Sequence, residues 1–230
     1  WDRNDDTTLP SNYVYEIFED SLERLWIGAF GGLSLLDRDT DKFSTYKNNP
    51  LDPKSLNGNR VLSITQDKLG VLWVGTSLGL NKFNENEKTF SSYKIDHLNS
   101  SKNYIKKIKE DSFGNLWLGS SGTNGLFKFN KISKEFSLYK HNSQDINSLR
   151  DGAVTSIYED RSNILWIATD LGGVSIYKPK KTSNFKLHKY NANKNSISAG
   201  VITSISETLN GDIWLTNSKG TVDKISTKGK

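Results

Sequence analysis

An all-β fold is what this sequence predicts, on three observations. Trp26, Trp73, Trp117, Trp166 and Trp214 recur at spacings of 47, 44, 49 and 48 residues. Each stands at the same place in a phrase of Val-x-x-Ile-x-x-Asp, a short turn, Leu-Trp-Ile-Gly, a loop ending in Gly, an apolar stretch and Phe-x-x-Tyr. Every full copy of the phrase holds four short apolar runs. A period of roughly 40–50 residues built from four short strands is the sequence signature of a propeller blade. One blade cannot bury both faces of its sheet, so blades must stack on one another. The expectation is a β-propeller of four-stranded antiparallel blades. Five repeats are present, at approximately 9–50, 51–99, 100–147, 148–195 and 196–230.

The first run of each repeat is Val14/Ile17, Val61/Ile64, Ile105/Ile108, Val154/Ile157 and Ile202/Ile205. Residues three apart fall on opposite faces of a regular strand, so each face is expected to bury one of the pair against a neighbouring blade. Three positions after the Ile stand Asp20, Asp67, Asp111 and Asp160, with Thr208 in the fifth copy. Three further on come Glu23, Gly70, Gly114, Asn163 and Gly211. Asp opens a turn by accepting backbone N–H groups, and Gly or Asn tolerates positive φ at its corner. Four copies read as one hairpin turn, and Glu23 predicts a different turn in the first. A calcium site needs several oxygen ligands along one loop, and one Asp per repeat falls short, so no metal is expected.

The second run carries the Trp, followed by Gly28, Gly75 and Gly119 and by Ala168 and Thr216 in the later copies. Small residues beside a repeated Trp predict an indole laid across the next strand, hence packing between blades rather than a ligand platform. A loop then reaches Gly32, Gly79, Gly125, Gly173 and Gly220, each followed by a third strand. The fourth run is Phe43/Tyr46, Phe90/Tyr93, Phe136/Tyr139 and Phe185, with His188 in the last Tyr position. Thr8, Ser55, Ser148 and Ser196 each stand six residues before the next first strand; Asn99-Ser100 fits that spacing poorly. The fifth repeat ends before a Phe-x-x-Tyr, and residues 1–9 offer no strand to complete it. The repeats are therefore expected to form part of a larger ring, in a segment of a longer protein, since Trp1 is not a translational start and Met is absent.

The composition excludes several chemistries. With no Cys there are no disulfides, thiolate nucleophiles or Cys-based zinc sites. The net charge of +5 comes from Lys scattered through polar loops. Lys102, Lys106, Lys107 and Lys109 alternate along one strand rather than forming a stripe, so no nucleic-acid partner is expected. No apolar run approaches the ~18 residues of a membrane span, so this segment is not expected to insert directly in a membrane.

The phrase Val-x-x-Ile-x-x-Asp-x-x-Gly-x-Leu-Trp-Val-Gly-Thr-x-x-Gly-Leu, nearly complete at Val61–Leu80, resembles the two-component regulator propeller repeat. The likeness runs from Leu9 to Ile225, with departures at Glu23, Ala168, Thr208, Thr216 and Thr221. It implies an extracytoplasmic, non-catalytic sensor module of a membrane-anchored bacterial signalling protein, often a hybrid histidine kinase. It also implies an oligosaccharide as ligand class, no cofactor and dimerisation through the parent protein. A structural or protein-binding scaffold is the alternative. A similar repeat style occurs in the virginiamycin B lyase family, whose metal-dependent chemistry needs His and acidic residues. His97, His141 and His188 pair with no carboxylate at an acid–base spacing, so no catalytic residue is expected. Ligand-binding candidates are residues that break the repeat where the connections and the second-to-third-strand loops share one face. They are Tyr13, Arg60, Tyr104, Arg150 and Asp151 beside the first strands, with Phe30 and Asn124 on the loops.

Overall fold

The protein is described by a computed structural model over residues 1–2, 4–95, 104–121, 125–171, 173–179, 185–192 and 196–226. His97, Lys102, Asn124 and the Asn99-Ser100 connection lie outside these residues. The described residues form strands and turns without a helix, in two compact units, Trp1–Glu110 and Asp111–Lys230. No helix among them is long and apolar enough to cross a membrane.

In the first unit, β1 (Val14–Glu19), β2 (Leu25–Ala29), β3 (Gly32–Asp37) and β4 (Lys42–Tyr46) form one antiparallel sheet in chain order. A second sheet follows from β5 (Val61–Gln66), β6 (Leu72–Thr76), β7 (Gly79–Asn84) and β8 (Thr89–Tyr93). Strand β9 (Ile105–Glu110) ends the unit. The second unit holds β10 (Leu116–Ser120), β11 (Leu126–Phe129) and β12 (Phe136–Tyr139), paired in order. Its next sheet is β13 (Val154–Glu159), β14 (Leu165–Thr169), β15 (Val174–Tyr177) and β16 (Phe185–His188). Three strands close the chain: β17 (Ile202–Glu207), β18 (Ile213–Asn217) and β19 (Val222–Ile225). The four-stranded sheets are the antiparallel blades that the repeat predicts, the last sheet has three strands, and each motif Trp lies in the second strand of its blade.

The first strands correct one expectation. In β5, Val61 pairs with Thr76, Ser63 with Gly75 and Ile64 with Val74, so Leu62 is an extra, bulged residue. The same shift occurs in β1, β13 and β17. A bulge adds one residue to one strand and reverses the alternation beyond it. Val61 and Ile64 therefore share a face instead of opposing one another. Both are buried, and both lie against Gly28 of the preceding blade.

The blades stack through the motif Trp. Trp26 is fully buried among Leu56, Val61, Ile64, Leu72, Val74, Phe83 and Phe90, nearly all from the next blade. Its ring meets Phe83 edge-on at 5.3 Å between centroids. In the second unit, Trp117 meets Tyr177 in a tilted ring contact at 5.2 Å between centroids, and Trp166 packs with Ile202, Ile205, Ile213 and Leu215. The small residue after the Trp is a clearance requirement. A Cβ on Gly28 would stand 2.8 Å from Val61 Cγ1, and one on Gly75 2.8 Å from the Ile105 carbonyl oxygen.

The motif Asp holds both its turn and its Trp. Asp67 Oδ1 accepts the N–H groups of Leu69 and Val71, while Oδ2 accepts Trp73 Nε1–H at 2.8 Å. Asp20–Trp26, Asp111–Trp117 and Asp160–Trp166 repeat that 2.8 Å bond. Burial pushes the Asp20 carboxyl up, but donors from Trp26, Arg24 and Leu22 outweigh it and leave its pKa below the ordinary Asp value. Glu23 was expected to change the turn, and it does not. Its φ of 59° matches Asn163 at 60°, and its N–H donates to Asp20 O as Gly70 does to Asp67 O. The hydrogen bonds at the Asp outweigh the strain of a left-handed Glu.

Two further devices recur. The last residue of a first strand reaches back to the preceding blade's turn. Gln66 accepts Ser21 N–H, Glu110 accepts Lys68 N–H, Glu159 accepts Ser112 N–H and Glu207 accepts Arg161 N–H. The Ser or Thr six residues before a first strand closes the connection. Ser55 Oγ accepts Asn49 N–H at 2.9 Å, as Ser148 Oγ does from Asn142 and Thr8 Oγ1 from Asp2. The residue before it then gives its carbonyl to the outer strand, Lys54 O to Phe90 N–H and Asn147 O to Phe185 N–H, each at 2.7 Å.

Candidate functional site

The first unit gathers an arginine and three aromatic rings where strands begin and end. Arg60 directly precedes β5 and Phe30 directly follows β2, and their backbones bridge in antiparallel fashion. Phe30 N–H donates to Tyr13 O at 2.9 Å, Gly31 N–H to Asn59 O at 2.7 Å, and Ser77 N–H to Arg60 O at 3.0 Å. Gly31 has a φ of 112°, a region open to Gly at little steric cost. These bonds fix the backbone, so the side chains of Arg60 and Phe30 project from a rigid platform.

The Arg60 guanidinium carbon lies 5.3 Å from the Phe30 ring centroid, 5.7 Å from Tyr104 and 6.0 Å from Tyr15. All three fall within cation–π range. The rings remain accessible: Phe30 is 50% exposed, Tyr15 41% and neighbouring Tyr13 72%. Among the described residues, the Arg60 guanidinium forms no hydrogen bond and no ion pair. The other described arginines of the unit are neutralised, Arg24 by Asp20 and Glu85 at 2.7 Å and Arg38 by Glu19 at 2.6 Å. Glu16, next to Tyr15, is desolvated and its pKa rises; Lys107 opposes that rise only in part.

Of the predicted residues, the structure brings Phe30, Arg60 and Tyr104 together, with Tyr13 beside them through the backbone. Arg150 and Asp151 lie in the second unit, just ahead of β13. Arg150 N–H donates to Ser175 Oγ, and its buried Nε has no hydrogen-bond partner among the described residues. Asp151 Oδ1 accepts Gly152 N–H. Asn124 lies outside the described residues. Sequence reasoning missed Tyr15. It sits at the bulge, where the other copies carry Leu62, Lys106, Thr155 and Thr203, so the only signal was an aromatic residue without counterparts.

The group offers apolar ring faces and a fan of N–H donors, a chemistry suited to recognition. His141 Nδ1 lies 3.2 Å from Leu149 O within a connection, and His188 lies beside Trp166. Among the described residues, no three His, Cys, Asp or Glu side chains are grouped to hold a metal.

Known proteins place this architecture. The family described as two-component regulator propeller matches residues 8–31, 55–77, 99–122 and 148–170. The extracellular domain of BT4673 from B. thetaiotaomicron, described as a hybrid two-component system, superposes with a TM-score of 0.76 at 19% identity. That match covers 96% of this chain and 28% of the other, so this chain spans under a third of its length. The extracellular domain of BT3049 from the same organism gives 0.54 at 24% identity, over 97% of this chain and 35% of that one. Virginiamycin B lyase from Staphylococcus aureus gives 0.67 at 14% identity, over 98% and 72%. At these identities the likeness concerns the fold. No curated protein sequence matches this chain. Each matched segment spans a first strand and its Asp–Trp hairpin, so four of the five repeats of this chain match the two-component regulator propeller.

Proposed function

We propose that this chain is a non-catalytic, extracytoplasmic sensor module of a membrane-anchored bacterial two-component protein, and that it binds a saccharide. The observation that carries the reading is the cluster of Tyr15, Phe30 and Tyr104 around Arg60, with exposed Tyr13 held beside it through its carbonyl to Phe30 N–H. Sugar rings pair an apolar C–H face with hydroxyl edges, and such a cluster offers ring faces beside hydrogen-bond donors. Four of the five repeated Trp residues, Trp26, Trp73, Trp117 and Trp166, are buried and leave this role to the residues that break the repeat. The repeat itself supports a place in the extracytoplasmic part of a signalling protein.

The test is a reporter driven by the full-length regulator carrying Arg60→Ala and Tyr104→Ala, with thermal melts of the variant domain beside it. Lost signalling with an unchanged melting temperature is expected. Unchanged signalling at normal stability would favour a scaffold that positions a dimer.

A further inference from the structure

We propose that Arg60 makes this site selective for an acidic saccharide, its guanidinium taking a sugar carboxylate while Phe30, Tyr15 and Tyr104 hold the ring. The inference rests on the saccharide-sensor reading and names the ligand class for that site. A guanidinium laid against aromatic rings keeps its charge and its N–H edges, because a π face supplies no acceptor in the guanidinium plane. Arg24 and Arg38 meet carboxylates at 2.6–2.7 Å, whereas Arg60 meets rings alone among the described residues. An unneutralised, partly buried cation is costly to hold and favours an incoming anion. Planar carboxylates match the guanidinium fork in a bidentate pair.

The surroundings agree in sign. Lys106 and Lys107 follow Tyr104 after the buried Ile105 and are exposed, and the chain as a whole carries a net charge of +5. Glu16 is the acidic group of β1 beside Tyr15, and Lys107 acts on it electrostatically. The bulge at Tyr15 and the bridge at Phe30 both fix backbone, so two of the three rings start from fixed positions before any ligand arrives. That preorganisation lowers the ordering cost of binding.

The experiment is calorimetric titration of this chain with α-1,4-linked digalacturonate and with neutral α-1,4-galactobiose at matched ionic strength. Digalacturonate is expected to bind about tenfold or more tightly, the scale of a charge-assisted hydrogen-bond pair. Arg60→Gln should abolish that preference at an unchanged melting temperature. Arg60→Lys, which keeps the charge and loses the fork, should retain part of it. If the two sugars bind equally and Arg60→Gln changes nothing, the acid selectivity is overturned while the sensor reading stands. If neither sugar binds the unaltered chain, both readings of this site fall. Discrimination between the sugars needs no variant, so the proposal can fail even where Arg60→Gln does not fold.

Discussion

The fourth and fifth hairpins, both in the second unit, differ at the motif Asp among other positions, and the hydrogen bonds made there show what the Asp does. In the fourth, Asp160 accepts Ser162 and Ile164 N–H groups on one oxygen and Trp166 Nε1–H on the other. In the fifth, Thr208 stands in its place. Its single hydroxyl still serves the turn, accepting Asp212 N–H at 3.2 Å, and Gly211 keeps the left-handed corner at φ 84°. Trp214 Nε1 is then buried with no hydrogen-bond partner among the described residues. The turn survives without the carboxylate, but the indole anchor does not. Asp is therefore required for joining the turn to the inter-blade Trp, more than for turning the chain.

The largest expected effect tests the Trp itself. Trp117 is fully buried against Tyr139 and Tyr177, so Trp117→Ala should cost roughly 3–5 kcal/mol, as for emptying a core aromatic site. Trp214→Ala should cost clearly less, because that ring is only partly buried and already lacks its hydrogen bond. Trp1→Ala, outside the motif and 53% exposed, should cost least. Equal shifts in chemical denaturation across the three would break the comparison.

Next comes the carboxylate. Asp160→Ala strands one buried indole N–H and two turn N–H groups, an expected loss of roughly 2–3 kcal/mol. The same Asp in the first hairpin gives a pH signature. Asp20 has a folded pKa below the ordinary value, so its ionised form favours the fold. That stability is fully present above the unfolded Asp range near about 4 and is lost as pH falls through the folded value. Acid melts of Asp20→Asn should lose this share of the acid limb, and identical acid limbs would contradict it.

The fifth hairpin can be repaired. Thr208→Asp supplies an acceptor for Trp214 but brings a carboxylate close to Asp212. In the third hairpin the position four after the Asp is Asn115, whose Nδ2 donates to Asp111. Thr208→Asp combined with Asp212→Asn copies that arrangement and should add about 1 kcal/mol, the net worth of one buried hydrogen bond. Thr208→Asp alone should add less. A double variant no more stable than the parent would show that the Trp214 site tolerates its orphan N–H without cost.

How much of this was legible follows from which features leave a residue signature. The Asp and the Trp recur six residues apart, so the period, the hairpins and the Trp strand could all be read. What the second carboxylate oxygen does could not, since a turn already accounts for an Asp there. The bulge was invisible because Tyr15, Leu62, Thr155 and Thr203 share no side-chain property. Without it the first-strand pair falls on opposite faces, and Tyr15 passes as an ordinary strand residue. Arg60, Phe30 and Tyr104 were legible for the converse reason: they break a repeat whose other positions have packing or turn roles. Their convergence on one guanidinium was not, because it depends on the Phe30–Arg60 bridge between two blades.

The smallest expected effect concerns the corner that all five hairpins share. Glu23, Gly70, Gly114, Asn163 and Gly211 all have positive φ there, between 59° and 84°. A side chain other than Gly in this region costs about 1–2 kcal/mol, from the approach of Cβ to the carbonyl oxygen. Gly instead loses about 0.5–1 kcal/mol through the greater freedom of its unfolded chain. Glu23 is exposed, so its replacement removes no packing. Glu23→Gly should therefore stabilise the first hairpin by roughly 0.5 kcal/mol, the difference between those terms. Asn163→Gly should gain less, since Asn enters the left-handed region more readily than Glu. Paired urea melts of the two variants would resolve the order. A loss of stability in Glu23→Gly would mean that the Glu side chain contributes something at this corner beyond occupying it.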